Sequence, residues 1–352
     1  MSAPTHQALA EDALGVALLH GERGDAARAR ALLVQAAAGG VSIGGNACLY
    51  HGAPALEFVL RCCGQRVNTS IVEATDRVVA RRLAAAHARH RAGTRPASAE
   101  FDLISGLTGL GALLLQRCRA TTPLAEILAY LVALAQPIQR EHWQLPGWWS
   151  DTAINADDTV SGGHANNGMA HGAAGPLALL AIAARHGVNV PGQREAIDIY
   201  ARWLETYGSF YWIGIDQLPE PGAAAPARPS WCYGAAGIAR ALQLAGIAAN
   251  DPARRAAAEQ TALTVLTDPR VRDLTCDASL CHGWAGQLTL ARAIAADSPD
   301  PAPFHALAPD LRARTEAGLD QLTKPGFLEG RAGASLALGG TDGGWTRAVL
   351  IT

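Results

Sequence analysis

The stretch "WCYGAAGIARALQLAG", Trp231 to Gly246, decides the fold. It opens on an aromatic, a thiol and two glycines, then runs on through Ala, Leu and Ile with Arg240 as its one charge. The same plan returns as "YHGAPALEFVL" at Tyr50, "DLISGLTGLGALLL" at Asp102 and "MAHGAAGPLALLAIAARHG" at Met169. It appears again as "LCHGWAGQLTLARAIAA" at Leu280 and "FLEGRAGASLALGG" at Phe327. The first glycines, Gly52, Gly106, Gly172, Gly234, Gly283 and Gly330, stand 54, 66, 62, 49 and 47 residues apart. A recurrence on this scale marks a repeat architecture. The copy at Tyr50 is degenerate, with Ala55 in place of the second glycine.

Each copy leads into a segment with almost no charge, which reads as a fully buried helix. Pro176 suits the first turn of such a helix, where its missing N–H costs nothing. Between the copies lie charged stretches such as "SIVEATDRVVARRLAAAHARHR" and "REAIDIYARWLETY". Their apolar residues recur at three- and four-residue spacing, the signature of a half-solvated helix. Each unit of about 50 residues is therefore a helical hairpin. Six to seven such hairpins close as an all-α α/α toroid, buried helices inside and amphipathic helices outside; an open solenoid is the other arrangement. In the ring, every glycine motif gathers at one mouth, and the inner-helix N-termini point partial positive charge into it. Residues 1–352 read as a single α/α-barrel domain. At about 137–167 a segment with three tryptophans, a Pro-Gly and few helix formers reads as a short irregular insertion at the rim. Its Trp143, Trp148 and Trp149 either contact a partner or cover the barrel edge.

The composition suits a large core: 49% hydrophobic and 17% charged residues in 352. A net charge of −2 points to neither nucleic acid nor an anionic membrane as partner. No window of about 18 uncharged apolar residues is present, so no membrane span is expected. The start, "MSAPTHQALAEDALG", has no basic region before an apolar run and does not resemble a secretory signal. Seven cysteines argue for thiols or metal ligands over a disulfide framework.

Cys232, Cys281 and His282 fall at equivalent places in two motifs, so a shared mouth brings them together. Two thiolates and an imidazole form a Zn²⁺ set of the catalytic kind, with one position open. One zinc per chain is expected. The open position takes either a substrate thiol, which then deprotonates, or a water for hydrolysis. Cys276 is a rival ligand; Cys48, Cys62, Cys63 and Cys118 read as core or incidental. His171 reads as a core histidine, a fourth ligand or a catalytic group. Asp102 either orients an imidazole or caps a helix. Arg228 either stabilises an oxyanion or pairs with a carboxylate. Tyr233 either donates a hydrogen bond or packs, and Glu329 reads as structural.

Together "SWCYG", "SLCHG", "MAHGAAG", "DLISGLTG" and "PGFLEG" resemble the lanthionine synthetase C family, from about Tyr50 onward. The length is similar to that of a standalone cyclase. The resemblance implies a zinc-bearing α-toroid acting on a ribosomally made precursor peptide whose Ser and Thr are already dehydrated. A peptide Cys adds as thiolate to dehydroalanine or dehydrobutyrine, the enolate is protonated, and a lanthionine or methyllanthionine ring results. By motif match Cys232, Cys281 and His282 are the implied zinc ligands. His171 and Asp102 are the implied acid/base pair, with His171 the proton donor, and Arg228 and Tyr233 lie near the enolate. The family also implies a cytoplasmic protein that assembles with a dehydratase and an ABC exporter at the membrane. Two other readings compete: a non-catalytic zinc and thiol binder resembling the eukaryotic members, and a glycosidase using Asp102 and Glu329.

Overall fold

In a computed structural model, residues 7–117, 121–140, 142–152, 159–219, 222–225, 227–341 and 343–352 are described. Cys118 and part of the insertion lie outside them. The helices are α1 (Ala13–Glu22), α2 (Ala26–Ala37), α3 (Gly52–Cys62), α4 (Thr69–Arg91), the one-turn α5 (Ser98–Phe101), α6 (Leu107–Arg117) and α7 (Thr122–Ala135). They continue as α8 (Ala174–Arg185), α9 (Gln193–Tyr207), α10 (Ala235–Ala249), α11 (Pro252–Thr267), the one-turn α12 (Pro269–Arg272), α13 (Trp284–Asp297), α14 (Ala302–Gly318) and α15 (Arg331–Gly339).

Helices α1, α3, α6, α8, α10, α13 and α15 each pack on the next, and α15 returns to α1. That closure is the ring, and it excludes the open solenoid. Inner helices such as α8 are buried on every side, Ala174 through Ala183 all lying in the core, while α1 buries Leu14, Gly15, Ala17 and Leu18. The outer helices bury one stripe, as α9 does with Ala196, Ile197, Tyr200, Ala201 and Leu204. Among the described residues the ring holds six inner–outer hairpins and a seventh inner helix, α15, that no outer helix follows.

The recurring glycines have a steric cause. A Cβ on Gly109, Gly175, Gly237, Gly286 or Gly333 would lie 2.2, 2.8, 2.1, 2.3 or 1.7 Å from the carbonyl oxygen six residues earlier. Each motif loop is thus folded flat against the first turn of its own helix, and only a hydrogen fits between. Gly15 obeys the same rule, 2.7 Å from the oxygen of Leu9. The N-terminal helix is therefore a further copy of the motif, with Asp12 where the others carry their first glycine. Its disguise explains why sequence reading began the repeat at Tyr50.

The C-terminal residues cross the bore. Tyr50 and Trp231, from opposite sides of the ring, donate to the carbonyls of Ala348 (2.7 Å) and Val349 (2.8 Å). Buried Arg240 of α10 holds the Ile351 carbonyl at 2.8 Å and pairs with Asp297 at 2.6 Å.

The insertion corrects the expectation of irregular chain. Strands β1 (Ile138–Arg140) and β2 (Trp143–Leu145) form an antiparallel hairpin. Strands β3 (Ser150–Thr152), β4 (Thr159–Asn166) and β5 (Trp212–Gly214) form an antiparallel sheet in the order β3-β4-β5. The third strand comes from the α9–α10 connection, so the pairing is non-local and leaves no local signature. Trp148 and Trp149 are buried; Trp148 stacks on Tyr200 of α9 at 4.4 Å, while Trp149 donates to the Gly162 carbonyl. Both cover the barrel edge, and Trp143 is half-buried against the core.

Candidate metal and proton-transfer site

The motif loops are stitched into a belt around the mouth. Leu103 N–H donates to Ala170 C=O, Ala170 to Cys232, Cys232 to Cys281, Cys281 to Leu328 and Leu328 to Ala10, at 2.8 to 3.2 Å. Cys232 and Cys281 are therefore backbone partners across two ring units. Ser230 and Ser279, four residues before the first glycine of their motifs, brace the two loops alike: their hydroxyls accept from the amides of Tyr233 (3.4 Å) and His282 (3.3 Å).

The ligand atoms of Cys232, Cys281 and His282 all lie within 4.8 Å of one another. Among the described residues no fourth His, Cys, Asp or Glu joins this group. Cys232 is buried, the other two half-buried. His282 Nε2 lies 3.0 Å from Oδ2 of Asp277, a residue that sequence reading did not single out. Its only signal was an acid five positions before His282. This carboxylate settles which ring nitrogen is left for a metal, Nδ1, in the pattern common to ligating histidines.

Without a metal the charges arrange themselves around these partners. Asp277 and then Cys232 raise the imidazolium pKa of His282 to about 10. Burial opposes ionisation of Asp277, but hydrogen bonds from His282 and Ser279 hold it at about 2. A hydrogen bond from the Cys281 thiol lowers the Cys232 pKa to about 5, and Cys281 itself is pushed up. The cluster thus already carries one thiolate and a carboxylate-braced imidazole. This donor set, two sulfurs and a nitrogen with one side unclaimed, fits a zinc ion with an open position.

The other predicted residues fall around this cluster. Asp102 is 1% exposed and takes both of its alternative roles. Its Oδ1 accepts from the amides of Ser105 (2.6 Å) and Gly106 (2.8 Å), fastening the loop into α6, and its Oδ2 meets His171 Nδ1 at 2.6 Å. His171 stands outside the metal-binding group among the described residues, and its side chain keeps 24% exposure. The Tyr233 ring lies nearly parallel to His171 with centroids 6.1 Å apart, which ties the imidazole to the loop that carries Cys232. Burial raises the Tyr233 pKa, so its hydroxyl stays a donor.

Arg228 points its Nη1 at Cys276 Sγ, 3.8 Å away, and pairs with no carboxylate among the described residues. Cys276 is exposed and stands outside the ligand group. Cys48 is buried and its thiol pushed up to about 11; Cys62 and Cys63 are half-buried and raised likewise by burial. None of the three joins the site. Glu329 pairs with Lys324, so the two carboxylates that a glycosidase would need are each engaged elsewhere.

Sequence reading also missed Asn166 and Asn167, treating them as the end of the insertion. Asn167 clamps the 207–211 turn to the His171 loop: its Nδ2 donates to Tyr207 and Phe210 carbonyls at 2.8 and 3.1 Å. Asn166 Oδ1 accepts from Gly168 N–H at 2.9 Å. The consecutive asparagines before a glycine motif were the available signal.

No helix among the described residues is long and apolar enough to cross a membrane. No curated protein matches the chain. Its fold is similar to that of nisin cyclase, with a TM-score of 0.80, 18% identity, and coverage of 98% of this chain and 92% of the other. Residues 44–339, most of the ring together with Asp102, His171, Arg228, Cys232, Tyr233, Cys281 and His282, match the lanthionine synthetase C-like proteins, and the chain belongs to that family.

Proposed function

We propose that this protein is a zinc-dependent lanthipeptide cyclase, acting as a single unit over residues 1–352 on a dehydrated precursor peptide. The observation that carries the reading is the pairing of a Cys-Cys-His metal set with a carboxylate-held histidine at one mouth. Metal binding alone does not call for the second feature; protonation of an enolate carbon does.

Zinc held by Cys232, Cys281 and His282, when bound, lets a peptide thiol lose its proton near neutral pH. The protein's own groups supply the rest. The thiolate adds to the β-carbon of a dehydroalanine or dehydrobutyrine, and the C=C electron pair moves to the α-carbon and its carbonyl. Arg228, whose guanidinium pairs with no described carboxylate and whose charge acts on Cys281, is suited to the developing enolate oxygen. Asp102 accepts from His171 Nδ1, which leaves Nε2 as the nitrogen that carries the transferable proton. His171 then delivers that proton to the α-carbon, and a proton released from the next thiol restores it. Tyr233 holds the His171 ring by stacking and keeps its own O–H for the substrate carbonyl. The net change is one S–H added across one C=C, with no change of mass.

The family resemblance supports a dehydratase and an exporter as partners and a place at the cytoplasmic face of a membrane. The direct test is incubation of the zinc-loaded protein with a dehydrated, cysteine-containing peptide. Loss of free thiol at unchanged mass is the expected result. Tight binding with the thiol persisting would make the protein a non-catalytic zinc and thiol binder.

A further inference from the structure

Beside the mouth lies an open cleft of about 660 Å³, of whose lining the proposed steps use Arg228 alone. Phe210, Tyr211, Trp212, Ala227 and Leu274 give it an apolar lining, and Arg228 is its one charged side chain among the described residues. Tyr211, Trp212 and Leu274 are 39, 49 and 44% exposed, three of the large hydrophobic side chains that the chain leaves open to solvent. Such residues gathered in one concavity mark a binding surface.

The cleft is continuous with the reaction site. Arg228 belongs to both. Tyr211 packs on Tyr233 with centroids 5.5 Å apart, and Tyr233 stacks on His171. The cleft is also built to keep its shape. Trp212 sits on β5, paired with Asn166 of β4, and His164 meets its ring edge-on at 5.5 Å. Asn167 pins the turn that carries Phe210 and Tyr211. The insertion thus forms the sheet that holds the aromatic lip.

We propose that this cleft binds an uncharged apolar segment of the peptide substrate, flanking the reacting cysteine or dehydro residue, and so selects which sites close. The inference rests on the cyclase reading. Its occupant follows from continuity with the mouth and from the lining: an aromatic or aliphatic side chain gains contact there, whereas a basic segment would lose its hydration against Trp212 and Leu274 and meet the like charge of Arg228.

The test uses zinc-loaded full-length protein and two fluorescent peptides with the cysteine and with alanine in place of the dehydro residue. One carries Phe-Leu beside the cysteine, the other Lys-Ser. Fluorescence anisotropy should show the Phe-Leu peptide bound at least about tenfold more tightly. Trp212→Ala with Leu274→Ala should abolish that preference while zinc content stays at the wild-type level; the single variants keep the test open if the pair does not fold. Equal binding of both peptides, tighter binding of the charged one, or a preference that survives in the variants would overturn the proposal. The dehydrated versions of the same peptides separate the two readings. Preference without thioether formation sinks the cyclase and leaves the cleft; thioether formation without preference does the reverse.

Discussion

Nδ1 of His171 lies 2.6 Å from Oδ2 of Asp102, a contact that joins two neighbouring ring units across 69 positions of sequence. Because Oδ1 of the same carboxylate is held by two backbone amides, the imidazole is offered one fixed acceptor.

Asp102→Asn should preserve the loop, since an amide oxygen can still accept from Ser105 and Gly106. Its NH2 would then face Nδ1 and impose the wrong tautomer. Turnover of a dehydrated peptide should fall about 10²- to 10⁴-fold, as should that of His171→Asn, with zinc content unchanged. Full turnover in either variant would remove the pair from the chemistry.

Asp277→Asn should weaken zinc binding about 10- to 100-fold, because the carboxylate on Nε2 orients His282 and raises its basicity. Competition with a chromophoric chelator reads this directly. Cys281→Ala should abolish stoichiometric zinc altogether; a variant that retained it would mean the ligands are elsewhere.

Gly237→Ala reverses the usual rule for helices. An exposed helical glycine gains about 1 kcal/mol on becoming alanine. Here the new Cβ would meet the Trp231 oxygen at 2.1 Å, so about 1–3 kcal/mol should be lost instead, and zinc affinity with it as Cys232 shifts. Urea denaturation against wild type measures the sign.

Asp297→Asn should cost about 3–5 kcal/mol at pH 7, since Arg240 is 1% exposed and would lose its countercharge. Burial works against ionisation of Asp297, but the Arg185 and Arg240 partners outweigh it and depress its pKa. A depressed carboxyl contributes stability above its unfolded pKa, about 3.9, and loses it as pH falls through the folded value. The gap between wild type and variant should therefore be full near neutrality and shrink below about pH 4.

The Cys-Cys-His cluster was legible in the residues because Cys232, Cys281 and His282 occupy repeat-equivalent positions, and a repeat converts spacing into geometry. Asp277 and the asparagine clamp were not legible, because they act from outside the motif frame, through single hydrogen bonds that any loop could make. The β3-β4-β5 sheet was hidden for a related reason: β5 is three residues long and pairs with β4 some fifty positions earlier.

What the sequence by itself determined was the hairpin repeat, its buried and solvated helices, and the glycines that let each loop lie flat on its helix. All of these follow from local sterics and from periodic burial of apolar side chains. Ring closure through α1, the partners that orient His171 and His282, and the aromatic cleft beside Arg228 were decided only by tertiary structure. Each depends on groups far apart in the chain meeting at hydrogen-bond or van der Waals distance, and no local pattern encodes that meeting.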